Sequence, residues 1–485
     1  MKHILIHLSR AMVFMLAMIV LIILFNGFRS RKLPDLKLWH RLILKSEFTV
    51  KQAHPGMIFE EYLALEQRLF DELDARIHQQ INPEEHQPYN RYYTESYSFP
   101  GNFLRNWNRS FELVPETIAG GVLMLHGLTD SPYSNHALAQ VLYERGYYVL
   151  GLRFPGHGTI PSALTRTSWE DWQAAARMAL IHLRQNIGKH APLYICGYST
   201  GGSLALKMTF DAVQDHSLEM ANKVFLFSPA IAVNPYGMFA DWHRLISWIP
   251  FFEKIRWTAI NPEYDPFKYN SFSKHGGGQV YQLSKKVQQQ LALLRKTGEI
   301  ANLPPIITFQ SEVDSTVVRS ALIDKLYNKL TPNNHELILF DVNHSPHVEP
   351  FIKERYKKLI PQIDDMGPQP YAITVITNIG NQTQDVMART RPTNARIFEK
   401  NVPLNLFWPH QVYSLSHVAL LFPEDDPLYG NVDTRAFPKH FKIGTLTPKG
   451  EISILNISMD QLMRVRSNPF FDYLAQQVVE KLAGQ

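Results

Sequence analysis

Cysteine is almost missing from this chain: Cys196 is the only one in 485 residues, which excludes an internal disulfide and a multi-thiolate metal site. Charge is nearly balanced, with 49 basic residues against 44 acidic and a formal excess of +5. No long basic run stands outside the N-terminal flank, so nucleic acid is not an expected partner. Internal repeats and low-complexity tracts are lacking too, which excludes a repeat architecture. Histidine pairs occur, His344 with His347 and His182 with His190, but neither has a third ligand at metal spacing; no metal and no cofactor is expected. What the chain does have is apolar mass. Its 45% hydrophobic and 12% aromatic residues can bury a large core, and the length calls for a main domain plus extensions.

The apolar run from Ala11 to Phe25 is flanked by Lys2 and Arg10 before it and by Arg29, Arg31 and Lys32 after it. It falls short of the roughly 20 residues of an ideal span, and Leu8, Gly27 and Phe28 can extend it. Small residues at A-x-A spacing do not follow Phe25, so an uncleaved anchor is preferred to a signal peptide. Basic residues at both ends leave its orientation open. The expectation is one N-terminal anchor in a membrane, with either side possible for the remainder.

Residues 1–33 therefore read as a membrane anchor and 34–115 as a covering. Within that covering, Ile58 to Ile77 has helical apolar spacing, and Pro83, Pro88, Pro100 and Pro115 punctuate an irregular stretch. From 116 to 365, short apolar strands alternate with amphipathic helices, the signature of an α/β fold with a mostly parallel sheet flanked by helices. Strands are expected at Val122 to Leu125, Tyr147 to Leu152, Leu193 to Cys196, Val224 to Phe227, Ile306 to Phe309 and Leu337 to Phe340. Helices are expected near Asn135 to Arg145, Trp169 to Asn186, Gly202 to Val213, Val317 to Leu330 and Glu349 to Ile363. The interval 234–302, rich in aromatics such as Trp242, Trp248, Phe251 and Trp257, breaks the alternation and reads as an inserted cap. Residues 366–485 read as a C-terminal extension packed on the core, with one strand, Tyr371 to Thr377, and a terminal helix from about Phe470 to Leu482. Nothing in the chain specifies an oligomeric state.

Gly197-Tyr198-Ser199-Thr200-Gly201 matches G-x-S-x-G between an apolar strand and a helix, the setting in which a serine hydroxyl projects above the sheet edge as a nucleophile. The N–H of Thr200, at the start of the following helix, is a candidate oxyanion donor. His126-Gly127-Leu128-Thr129 follows the first core strand and offers the Leu128 N–H as the second donor, with His126 bracing the loop. Asp314 follows the strand Ile306 to Phe309 at the sheet end where an orienting acid belongs; Glu312 competes with it, and capping the next helix is its alternative role.

Leu125-His126-Gly127-Leu128-Thr129-Asp130-Ser131-Pro132, Gly156-His157-Gly158-Thr159, Thr167-Ser168-Trp169-Glu170-Asp171-Trp172 and Gly197-Tyr198-Ser199-Thr200-Gly201-Gly202 together resemble bacterial monoacylglycerol lipases and carboxylesterases of the α/β-hydrolase superfamily. The likeness is strongest over residues 121–208. It implies an α/β-hydrolase fold, a serine esterase activity and an acylglycerol-like or simple ester substrate. It also places the anchor in a bacterial inner membrane. Two histidines compete for the base. His344 holds the position after the last strand that minimal folds use. His417 lies in Ser414-Leu415-Ser416-His417-Val418, which resembles the Ser-x-His-Val segment of those esterases, and it is preferred. Thioesterase, amidase or peptidase chemistry on the same fold stands as an alternative, as does a membrane-anchored scaffold without catalysis.

Overall fold

The computed structural model describes residues 2–54, 56–231, 246–317, 319–431, 442–445 and 459–483. Trp242 and the start of the expected cap lie outside them. The apolar runs form β1 (Phe111–Leu113), β2 (Gly120–Leu125), β3 (Tyr147–Leu152), β4 (Leu193–Tyr198) and β5 (Lys223–Phe227). A two-stranded ribbon of β6 (Trp257–Ala259) and β7 (Phe272–Ser273) intervenes. Then come β8 (Ile306–Ser311), β9 (Glu336–Phe340), β10 (Ala372–Asn378), β11 (Asp385–Arg391) and β12 (Lys400–Phe407). Apart from the ribbon they form one 10-stranded sheet in the order β1-β3-β2-β4-β5-β8-β9-β10-β11-β12. Every pairing between β3 and β10 is parallel, whereas β1 on one edge and β11 with β12 on the other are antiparallel.

Parallel strands covered on both faces need apolar side chains in both directions. Here alternate residues divide cleanly: Leu123, Leu150, Ile195 and Leu226 enter one core, and Val122, Val149, Cys196 and Phe225 the other. Helices α3 (Phe59–Leu73), α5 (Trp169–Ile187), α6 (Thr200–Gln214), α7 (Lys274–Thr297), α8 (Arg319–Lys325) and α9 (Leu359–Asp365) contribute to the first. The second is covered by α4 (His136–Glu144) and α11 (Phe471–Ala483). α5 shows why such a helix starts where it does. Ser168 caps it, and the Asp171 carboxylate accepts the Ser168 N–H at 2.7 Å, closing a capping box. The remaining helices are α1 (Lys2–Arg31), α2 (Leu38–Arg41) and α10 (Met459–Leu462).

Four expectations change. The helix from Glu349 to Ile363 breaks into turns at Glu349–Phe351 and Glu354–Tyr356 before α9, because Pro350 and Pro361 cannot sit inside a helix continuing through them. The stretch read as one helix from Val317 to Leu330 is α8 followed by a 3-10 turn at Tyr327–Lys329. The C-terminal extension, read with one strand, contributes β10, β11 and β12 to the main sheet. Part of the cap interval also belongs to the core: α7 buries Leu283, Val287, Leu291 and Leu294 in the layer formed with α5 and α6.

Candidate active site

β2 lies between β3 and β4 in the sheet, so the chain leaves β2 to one side and β4 to the other. A crevice opens at the C-terminal ends of strands where the order reverses in this way. His126-Gly127-Leu128 leaves β2 there, and Ser199 follows β4.

Ser199 has φ 52° and ψ −112°, a strained setting for a residue with a Cβ. Backbone hydrogen bonds to the next strand and loop hold it, from its own N–H to Phe227 O and from Ala230 N–H to its O, both 2.9 Å, alongside those its O accepts from Gly202 and Ser203. The glycines beside it are sterically required. A Cβ on Gly197 would meet Gly201 O at 2.5 Å, and one on Gly202 would meet Pro229 Cβ at 2.7 Å.

His417 Nε2 stands 3.1 Å from Ser199 Oγ, and its Nδ1 is 2.7 Å from Asp314 Oδ2. Asp314 is itself well held: Oδ2 also accepts Gln310 Nε2, and Oδ1 accepts the N–H groups of Thr316 and Val317 at 2.8 and 2.9 Å. Burial raises the cost of its charge, but His417 and these donors outweigh it and hold the carboxyl below its ordinary range. The loop carrying His417 is fixed through its carbonyls. Ser311 Oγ donates to Leu415 O, Tyr198 OH to His417 O, and Asn343 to Tyr413 O and Val412 O. A hydroxyl, an imidazole and a carboxylate in this series can shuttle a proton away from the hydroxyl and stabilise the imidazolium that results.

The other candidates are placed elsewhere. His344 Nε2 bonds Asp341 Oδ2 at 3.1 Å; burial disfavours its charge, but Asp341 outweighs that and raises its pKa. It has no hydrogen bond to Ser199 or Asp314. Glu312 pairs with Arg319 at 2.5 Å, although burial pushes its carboxyl up to about 7. His126 braces its loop with both nitrogens: Nδ1 donates to Gly127 O at 2.8 Å and Nε2 accepts the Phe154 N–H at 3.0 Å. Burial first, then His157, keeps it neutral. Thr200 opens α6, where first-turn N–H groups have no intrahelical acceptor. Among the described residues, the Leu128 N–H donates to no protein acceptor. His182 is bound between Glu60 and Glu112.

A family model described as serine aminopeptidase, S33, matches residues 116–350, the span that holds β2 to β9, the Gly-x-Ser-x-Gly elbow and Asp314 but neither β10 to β12 nor His417. Residues 116–350 have the α/β-hydrolase fold and are similar to that superfamily. Within the hydrolase region it is 36% identical over 86 residues to a thermostable monoacylglycerol lipase of Bacillus sp. (strain H-257), covering 18% of this chain and 33% of that protein. It is 33% identical over 99 residues to a carboxylesterase of Bacillus subtilis (strain 168), covering 20% of this chain and 39% of that one. The chain thus matches only a third or so of the length of these curated relatives. A solved monoacylglycerol lipase of Paleococcus ferrophilus superposes with a TM-score of 0.36 at 18% identity, over 48% of this chain and 87% of the other. Asn343, Ser311 and Tyr198, which fix the His417 loop, were not anticipated from sequence. Their partners are backbone carbonyls far along the chain, and no local pattern announces such contacts.

Proposed function

We propose that the chain is a serine hydrolase, held at a membrane by α1, that cleaves a carboxylic ester through an acyl-enzyme on Ser199. The observation that carries this reading is a single ring: His417 reaches Ser199 Oγ at 3.1 Å and Asp314 Oδ2 at 2.7 Å. In the mechanism, His417 Nε2 takes the hydroxyl proton while Ser199 Oγ attacks the carbonyl carbon. The Leu128 and Thr200 N–H groups hold the oxyanion. The imidazolium then protonates the departing alkoxide, and water repeats the sequence on the acyl-enzyme to release the acid. Asp314 holds His417 in the required tautomer throughout.

Ester specificity is supported by the relatives named as a monoacylglycerol lipase and a carboxylesterase, which favour an acylglycerol-like or simple ester. The aminopeptidase description of the family model supports an amide instead. An aminopeptidase must bind a free ammonium. Asp130, which lies against Gly127 beside Ser199, is already bonded to Lys268 at 2.6 Å. A panel of fluorogenic esters, thioesters and amides given to the full chain tests the reading. Ester turnover with fluorophosphonate labelling is expected, both lost in Ser199→Ala; turnover of amides alone would overturn the ester assignment, and turnover of none would favour a scaffold.

A further inference from the structure

Lys268 and Tyr269 lie between β6 and β7, in the interval read from sequence as a cap, yet they grip the loop that carries the Leu128 N–H. The Tyr269 N–H donates to Thr129 O at 2.8 Å, and Lys268 Nζ donates to Asp130 Oδ1 at 2.6 Å. Two consecutive residues thus hold two consecutive residues. Thr129 needs holding, because its φ of 67° is left-handed without being glycine. The grip is anchored from behind: Tyr269 OH accepts the Thr159 N–H at 2.7 Å and donates to Gly156 O at 3.2 Å. Buried Arg91, from the N-terminal covering, donates to Lys268 O at 3.1 Å and lies over the Tyr269 ring.

The charge matters as much as the bond. A Cβ built on Gly127 would fall 2.6 Å from Asp130 Oδ2 and 3.3 Å from Ser199 Cβ, so the Asp130 carboxylate and Ser199 border the same space beside Gly127. An uncompensated carboxylate there would oppose the negative charge that develops on a substrate carbonyl attacked by Ser199. Lys268 neutralises it, in a pair whose side chains are 27% and 10% exposed. We infer that Lys268 is a positioning residue for the hydrolytic step: through Asp130 it holds Gly127-Leu128-Thr129 in the donating conformation and cancels a carboxylate beside the forming oxyanion. This inference rests on the serine-hydrolase reading of the site.

The test uses the full chain and the best ester from the substrate panel. Lys268→Met is expected to lower kcat by about 10- to 100-fold with KM changed less than about 2-fold, since the contact serves the transition state rather than ground-state binding. Affinity for a boronic acid that mimics the tetrahedral intermediate should fall in proportion. Lys268→Arg should recover most of kcat. The double variant Lys268→Met with Asp130→Asn should exceed Lys268→Met alone, because it removes the unpaired carboxylate together with its partner. A kcat within about 2-fold of wild type in Lys268→Met, or a loss that follows the melting temperature and leaves the ratio of boronate to substrate affinity unchanged, would overturn the inference. Wild-type protein that turns over no substrate of the panel would overturn the parent reading with it; active wild type matched by Lys268→Met would overturn this inference alone.

Discussion

Ser199 carries a side chain where the backbone favours glycine, at φ 52°, and such strain costs on the order of 1–3 kcal/mol. Ser199→Gly should therefore unfold at higher denaturant than Ser199→Ala, though both lose hydrolysis; equal midpoints would mean that the elbow stores no strain. The base is tested in parallel. His417→Ala should lower turnover by several orders of magnitude, whereas His344→Ala, which only frees one bond to Asp341, should keep most of it. The reverse result would move the base to His344. Asp314 has a pH signature. Its folded carboxyl is held below the ordinary 3.8, so its stabilisation is complete above that value and is lost as pH falls through the lower folded value. The stability gap between wild type and Asp314→Asn should be widest above pH about 4 and close below it; a gap constant with pH would contradict this. Ser199 and Asp314 were legible because each stands within a few residues of an apolar strand end. His417 was not legible from topology, since residues 345–410 separate it from β9, and only its Ser-x-His-Val setting distinguished it from His344.

The elements that were hardest to read are those that complete the sheet. β2, β3, β4, β5, β8 and β9 announce themselves as apolar runs because both of their faces are covered. β12, Lys-Asn-Val-Pro-Leu-Asn-Leu-Phe, is largely exposed and contains Pro403, a residue tolerated at an edge that argues against a strand when read alone. Its partner β11 alternates only weakly. The extension is nevertheless structural. β10 pairs with β9 in register from Ala372 opposite Glu336 to Ile376 opposite Phe340, and α11 buries Phe471, Leu474 and Val478 over the second face. A chain ending at residue 365 would leave β9 an open edge and that face covered by α4 alone, so it should aggregate rather than merely lack the base. Leu474→Ala, in full-length protein, should cost about 2–5 kcal/mol in urea unfolding. A change under about 1 kcal/mol would mean that α11 contributes little to this core.

Over the whole molecule, the exit of α1 is joined to the body that carries the site. The most apolar 18-residue window within Ser9–Arg31 has a mean hydropathy of 2.6 and only 6% of it is buried, so most of the helix has no protein to cover it. Its last turns do. A Cβ on Gly27 would meet the Phe252 ring at 2.6 Å, Arg31 lies 4.9 Å over Phe251, and Lys254 bonds both Leu33 O and Asp35. Nearby, Trp248 is 73% and Phe251 36% exposed, and aromatic residues of this kind favour the level of lipid headgroups. On the proposed membrane-anchored reading, a helix continued into the body would keep the site against the membrane surface, where an ester of lipid character is concentrated. The full chain should then sediment with membranes and resist carbonate extraction. A chain beginning at Leu33 keeps the Lys254 contacts, and it should be soluble and turn over a short-chain ester at the wild-type rate while losing activity on the same ester group presented in vesicles. Release of the full chain by carbonate would refute the anchor, and an N-terminus found cleaved beyond Phe25 would make α1 a signal sequence. Equal activity of the two chains on vesicles would show that the anchor does not bring the site to its substrate.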